Sequence, residues 1–131
     1  MRGLPCGLLV GVATALWAAA CTGGEPRGYS ILTDQQLRQQ IAASEPMVIV
    51  DVREPREFAA GHIPGARLIP YGGAARRVLK ELDKDDHVVF VCHTGPMGDE
   101  LARLLVANGY RHVANLRGGM RGWSGPRVTG S

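Results

Sequence analysis

A chain of 131 residues holds one compact domain once any leader is removed, and leaves no room for two. Apolar residues make up 45% and aromatics 5%, which suits an α/β core of Val, Leu, Ile and Ala and argues against an aromatic-rich β-sandwich. The formal charge of +3 is too small for a nucleic-acid footprint, and the basic residues Arg76, Arg77 and Lys80 read as a solvated helix face.

Residues 1–20 read as an export signal peptide: a lone Arg2, an uncharged run from Leu8 to Ala20, and the small residues Ala18, Ala19 and Ala20 before Cys21. The run is shorter than the roughly 20 residues that cross about 30 Å of hydrocarbon as a helix. It resembles a bacterial lipoprotein signal, which implies Cys21 as the lipidated first residue of the mature protein, anchored to a membrane of the cell envelope and facing the periplasm or the exterior. Ordinary cleavage near Ala20, or retention as a short anchor, are the alternatives. Residues 21–29 then form the lipidated N-terminus and a tether, with Gly23, Gly24, Pro26 and Gly28 resisting regular structure. Cys6 lies in the leader and Cys21 is consumed by lipid, so Cys92 is left as the one free thiol.

Thr33 followed by Gln36 has capping-box spacing and predicts a helix over 34–42, with Leu37 and Ile41 on one face. The apolar run 47–50, ending at Asp51, predicts a strand buried on both faces. Pro55 suits the first turn of a short helix that Gly61 stops. Residues 67–70 predict a second strand, and 74–82 a helix with Val78 and Leu82 on one side. The strand over 88–91 delivers Cys92 at its carboxyl end. The helix over 99–108 places Leu101, Leu104 and Leu105 together and closes at Gly109. Residues 113–116 supply a last strand, Gly118, Gly119 and Trp123 begin a final short helical segment, and 127–131 is a flexible tail. Strands alternating with helices predict a parallel sheet covered on both faces.

A cysteine between a buried strand and a helix stands at the sheet edge where open α/β folds form their crevices. His93, Thr94, Gly95, Pro96, Met97 and Gly98 follow it, and the two glycines let amide N–H groups turn inward as an anion nest. The positive end of the next helix adds to the field that favours a thiolate or persulfide. His93 either helps ionise the thiol or caps the loop. A buried structural cysteine is the competing reading.

From Asp51-Val52-Arg53 through Glu57-Phe58 and Gly61-His62-Ile63-Pro64-Gly65-Ala66 to the Cys92 loop, and on through Gly109-Tyr110, Gly118-Gly119 and Trp123, the chain resembles the rhodanese family. The resemblance covers roughly residues 30–124. It implies a single α/β domain over 30–126, a five-stranded parallel sheet with helices on both faces, and Cys92 as the catalytic residue of a sulfurtransferase, its persulfide cradled by residues 93–98. Related phosphatases use a loop one residue longer that ends in Arg, which is missing here and disfavours phosphate chemistry. The loop departs from many sulfurtransferases at Met97 and Gly98, where a cationic or hydroxyl side chain is common. That raises a second reading, a non-catalytic sulfur relay or sensor.

The resemblance implies a small sulfur donor (thiosulfate, polysulfide or persulfide) and a thiol or cyanide acceptor. Asp51, Arg53 and His62 fall in its opening motifs and read as structural support for the loops. No metal or other cofactor is expected, because His62, His87, His93 and His112 lack ligand spacing with one another or with Cys92. Nucleic acid is not an expected partner.

Overall fold

The structure, a computed structural model, describes residues 28–131. The expected leader, Cys6, Cys21 and most of the tether lie outside the described residues. The elements in order are β1 (Ser30–Leu32), α1 (Asp34–Ala42), β2 (Val48–Asp51), α2 (Pro55–Ala60), β3 (Arg67–Leu68), α3 (Tyr71–Glu81), β4 (His87–Val91), α4 (Pro96–Ala107), β5 (His112–Leu116) and a 3-10 turn (Gly119–Gly122). The strands form one parallel sheet in the order β1-β5-β4-β2-β3. β4, which leads into Cys92, thus lies at its centre.

The alternation of side chains along each strand divides the core in two. Val88, Phe90 and Cys92 face the layer that holds Val78, Leu82, Leu101 and Leu105 of α3 and α4 and the residues just beyond them. Val89 and Val91 face the other layer, with Leu37 of α1, Ile63, Met120 and Trp123. Helices therefore cover both faces, and Cys92 continues the register that points toward α4.

Local signals explain the starts of α1, α2 and α4. The Thr33 hydroxyl accepts from the Gln36 N–H at 3.2 Å and the Gln36 side chain accepts from the Thr33 N–H at 2.9 Å, a complete capping box for α1. Pro55 and Pro96 occupy the first turns of α2 and α4, where a missing N–H costs nothing.

Several boundaries differ from expectation. α4 begins at Pro96 rather than 99, so Met97 and Gly98 belong to its first turn and the connection after Cys92 shrinks to His93, Thr94 and Gly95. α3 begins at Tyr71, through Gly72 and Gly73, because the Tyr71 N–H is already bound to the Val52 carbonyl at 2.9 Å and the chain turns straight into the helix. Tertiary contact here outweighs the poor helix propensity of glycine. Leu37 is fully buried but Ile41 is 36% exposed, so the two do not share a buried face. The tail is not free: Val128 pairs antiparallel with His62, and the Gly130 N–H donates to the Ala59 carbonyl at 2.9 Å.

The contrast on the helices is directly testable. Leu105→Ala, at a fully buried position, should lower the unfolding free energy by about 2–5 kcal/mol in urea titrations, whereas Ile41→Ala should cost less than about 1 kcal/mol.

Candidate active site

Cys92 is 1% exposed and forms no disulfide among the described residues. The backbone leaves β4 at Val91 and curls so that the Gly95 N–H donates to the Cys92 Sγ at 3.0 Å. Gly95 sits at φ +130°, ψ −38°, a conformation that side-chain-bearing residues avoid. It is also the residue before α4, so the sulfur rests at the positive end of a 12-residue helix. An N–H donor and a helix N-terminus together suit a sulfur that carries negative charge, as a terminal persulfide does.

The Gly95 peptide is held from behind. Asn115 of β5, 2% exposed, faces α4 in the same register as Val113 and donates its Nδ2 to the Gly95 carbonyl at 2.9 Å and to Asp99 Oδ1 at 3.0 Å. The Tyr29 hydroxyl donates to the same carboxylate oxygen at 3.0 Å. Gly98 gives Asn115 its space: a Cβ there would stand 2.0 Å from the Asn115 Oδ1 and 3.2 Å from the Phe90 Cβ. The expected glycine of the loop therefore serves helix-to-strand packing. Met97, half-buried, packs against the α3/α4 core.

A second brace comes from the turn after β5. Met120 N–H donates to the Cys92 carbonyl at 2.8 Å and Arg121 N–H to the His93 carbonyl at 3.0 Å. Gly119, at φ +55°, makes this approach possible, since a Cβ would lie 2.3 Å from the Cys92 oxygen.

The remaining anticipated residues lie around this centre. His93 is half-exposed, with its Nε2 3.0 Å from Glu57 Oε2, so its ring engages α2. Arg53 and Asp51 form a buried ion pair, 2.8 Å from Nη2 to Oδ2, and the same Nη2 donates to the Gly61 carbonyl at 2.7 Å. The His62 Nδ1 is 2.8 Å from the Phe58 carbonyl, and its ring stacks on Phe58 with centroids 3.6 Å apart. These three secure the ends of β2 and α2. Trp123 is buried, its indole donating to the Pro126 carbonyl at 3.0 Å. Thr94 and Pro96 line a shallow cavity with Asp99, Asn115 and Arg117, and Thr94 and His93 line another with Arg53, Met120, Arg121 and Arg127. Among the described residues, no group of three or more His, Cys, Asp or Glu side chains converges as a metal site would require.

Sequence reasoning missed Asn115, Asp99 and Tyr29 as supports of the site. One signal for Asn115 was available: it is a lone amide in an apolar strand, where a buried polar group needs a specific partner.

The fold has counterparts among known proteins. The rhodanese-like domain model matches residues 33–126. A sulfurtransferase of Allochromatium vinosum is 36% identical over 93 residues, 71% of this chain and 86% of that protein. The thiosulfate sulfurtransferase GlpE of Pseudoalteromonas translucida is 31% identical over 84 residues, 64% of this chain and 79% of that protein. A Bacillus subtilis relative described as a candidate sulfur carrier is 35% identical over 91 residues, 70% of this chain, which spans about half the length of that protein (49%). Among solved structures, a rhodanese-like domain protein from Staphylococcus aureus has a TM-score of 0.70 at 32% identity, covering 78% of this chain and 99% of that chain.

Gly119→Ala should lose clearly more stability than Gly65→Ala in parallel urea titrations. Both glycines have positive φ and share a conformational cost of about 1–2 kcal/mol, but a Cβ at Gly65 meets nothing within 4 Å while one at Gly119 meets the Cys92 and His93 backbone.

Proposed function

Because the chain belongs to the rhodanese-like family, we propose that it is a sulfurtransferase that carries sulfane sulfur as a persulfide on Cys92. One observation carries this reading: the Gly95 N–H directed at Cys92 Sγ from 3.0 Å, at the start of α4. A donor is attacked at its outer sulfur by the Cys92 thiolate; the new Sγ–S bond forms as the donor's S–S bond breaks, and the leaving group departs with the bonding electrons. With thiosulfate the leaving group is sulfite. An acceptor thiolate or cyanide then attacks the outer sulfur, the Sγ–S bond breaks, and the Cys92 thiolate returns.

The relay or sensor reading draws on Met97. Its side chain is taken up by the α3/α4 core, so the first turn of α4 offers a donor no cationic side chain at that position. Under this reading the persulfide forms but passes only to a specific partner. The leader chemistry ending in Ala18-Ala19-Ala20-Cys21 supports a place at the bacterial cell envelope, tethered through a lipid on Cys21. Radiolabelled palmitate incorporated by the expressed chain but not by Cys21→Ala is the expected result.

Incubation of the purified full chain with thiosulfate or polysulfide should add about 32 Da, one sulfur atom, to Cys92 by mass spectrometry, and cyanide should discharge it as thiocyanate. Cys92→Ser should do neither while folding normally. An adduct that resists cyanide and simple thiols would favour the relay, and an unreactive Cys92 would reject persulfide chemistry.

A further inference from the structure

A cavity of about 390 Å³ lies beside the catalytic connection, lined by Arg53, His93, Thr94, Met120, Arg121 and Arg127. Its volume is that of a small-molecule site. His93 and Thr94, the two residues after Cys92 in the chain, are part of its lining.

The charges in it do not cancel. Arg53 is spent on Asp51 and the Gly61 carbonyl, and His93 is engaged with Glu57. Among the described residues, no carboxylate lines the cavity. Arg121 is exposed, and among the described residues its guanidinium has no hydrogen-bond or ion-pair partner. Arg127 is held in place: its Nη2 donates to the Met120 carbonyl at 2.8 Å and the Trp123 carbonyl at 3.0 Å, while its Nε and Nη1 make no hydrogen bond among the described residues. The Arg127 stem packs beside Gly61, with Cδ 3.6 Å from where a Cβ would stand. The backbone of Arg121 is bonded to the His93 carbonyl, so both cations are registered to the Cys92 connection by main-chain contacts. An arginine pair of this kind suits an oxyanion, to which guanidinium groups donate in pairs.

We propose that Arg121 and Arg127 form the anion-binding subsite of the sulfur donor, replacing the cationic side chain that the first turn of α4 lacks. The inference rests on the persulfide reading of Cys92 and deepens it by naming the donor class: a small dianion whose sulfonate or carboxylate groups sit in the arginine cavity while its sulfane sulfur meets Sγ. With thiosulfate, the sulfite expelled when the S–S bond breaks carries its negative charge into the same cavity. With a carboxylated persulfide, the departing thiolate keeps its carboxylates there, and the Cys92 thiolate again gains one sulfur atom.

The test uses the full chain with Arg121→Gln, Arg127→Gln, the double variant, and Arg117→Gln, which removes the same charge from the cavity on the other side of Thr94. Two quantities are measured: the concentration dependence of persulfide formation with thiosulfate and with glutathione persulfide, and the ratio of Cys92 alkylation rates by anionic iodoacetate and neutral iodoacetamide. The double variant should raise the half-saturating donor concentration by about three- to ten-fold and lower the alkylation ratio by a similar factor, as expected for exposed charge-assisted contacts. The iodoacetamide rate should stay within about two-fold of the parent, which reports an intact loop. A rise for thiosulfate alone assigns the subsite to the sulfonate, and a rise for glutathione persulfide alone assigns it to carboxylates. Unchanged values in the double variant, or the same loss in Arg117→Gln, would overturn the proposal. If Arg127→Gln unfolds, Arg121→Gln alone decides, since that side chain holds nothing else. A wild-type protein that forms no persulfide with either donor yet keeps an arginine-dependent alkylation ratio would reject the persulfide chemistry and leave the anion site standing.

Discussion

The site depends on one close approach of two backbones. The turn after β5 passes against the connection after β4, with the Cys92 and His93 carbonyls accepting from Met120 and Arg121 and with Gly119 at their point of contact. Only a residue without a Cβ fits there, and only in a left-handed conformation. This contact pins the Cys92 and His93 carbonyls on one side of the connection, while the Gly95 N–H meets Sγ. It also buries Met120 and Trp123 against the sheet face opposite α4, so the same turn that braces the catalytic connection completes the second core.

Behind that connection, polar and apolar packing are fitted to each other. Asn115 reaches from β5 to hold the Gly95 carbonyl at the start of α4, while its own Oδ1 is buried with no hydrogen-bond partner among the described residues. An unpartnered buried acceptor costs about 1–3 kcal/mol, which is tolerable because the Nδ2 bonds fix a peptide that the chemistry needs fixed. The cost of a polar group in an apolar strand is thereby exchanged for precision at the sulfur.

The buried Arg53–Asp51 pair works at the neighbouring strand end. Breaking such a pair by removing one partner leaves an uncompensated charge and costs about 3–5 kcal/mol, even though the intact pair adds little net stability. Its value is geometric: it locks the end of β2 to Gly61, and from Gly61 the chain returns through His62 to pair with Val128. The C-terminal segment is drawn back across the domain, and that return brings Arg127 to the rim of the catalytic connection.

Much of the fold was legible in the residues themselves. The apolar run before Cys92 read as a buried strand, Thr33 with Gln36 marked a helix start that the structure reproduces, and Gly109 closes α4 with φ +86° as a terminal glycine does. Four strands could be read directly, and the family resemblance implied the fifth. β1 was silent because its three residues, one of them exposed, carry too little periodicity and are ordered only by pairing with β5 at the sheet edge. The position of Cys92 after a strand and before a glycine-bearing turn likewise followed from local pattern, which depends on neighbours a few residues apart. What surrounds the sulfur did not. The amide of Asn115, the contact at Gly119 and the meeting of Arg121 and Arg127 with His93 join residues about 20 to 35 positions apart, and no local periodicity encodes such distances. Composition and spacing decided that a thiol would stand at the edge of a parallel sheet; only the packing of β5 and the returning C-terminal segment decided which groups face it, because those contacts exist only once the two sheet faces are buried.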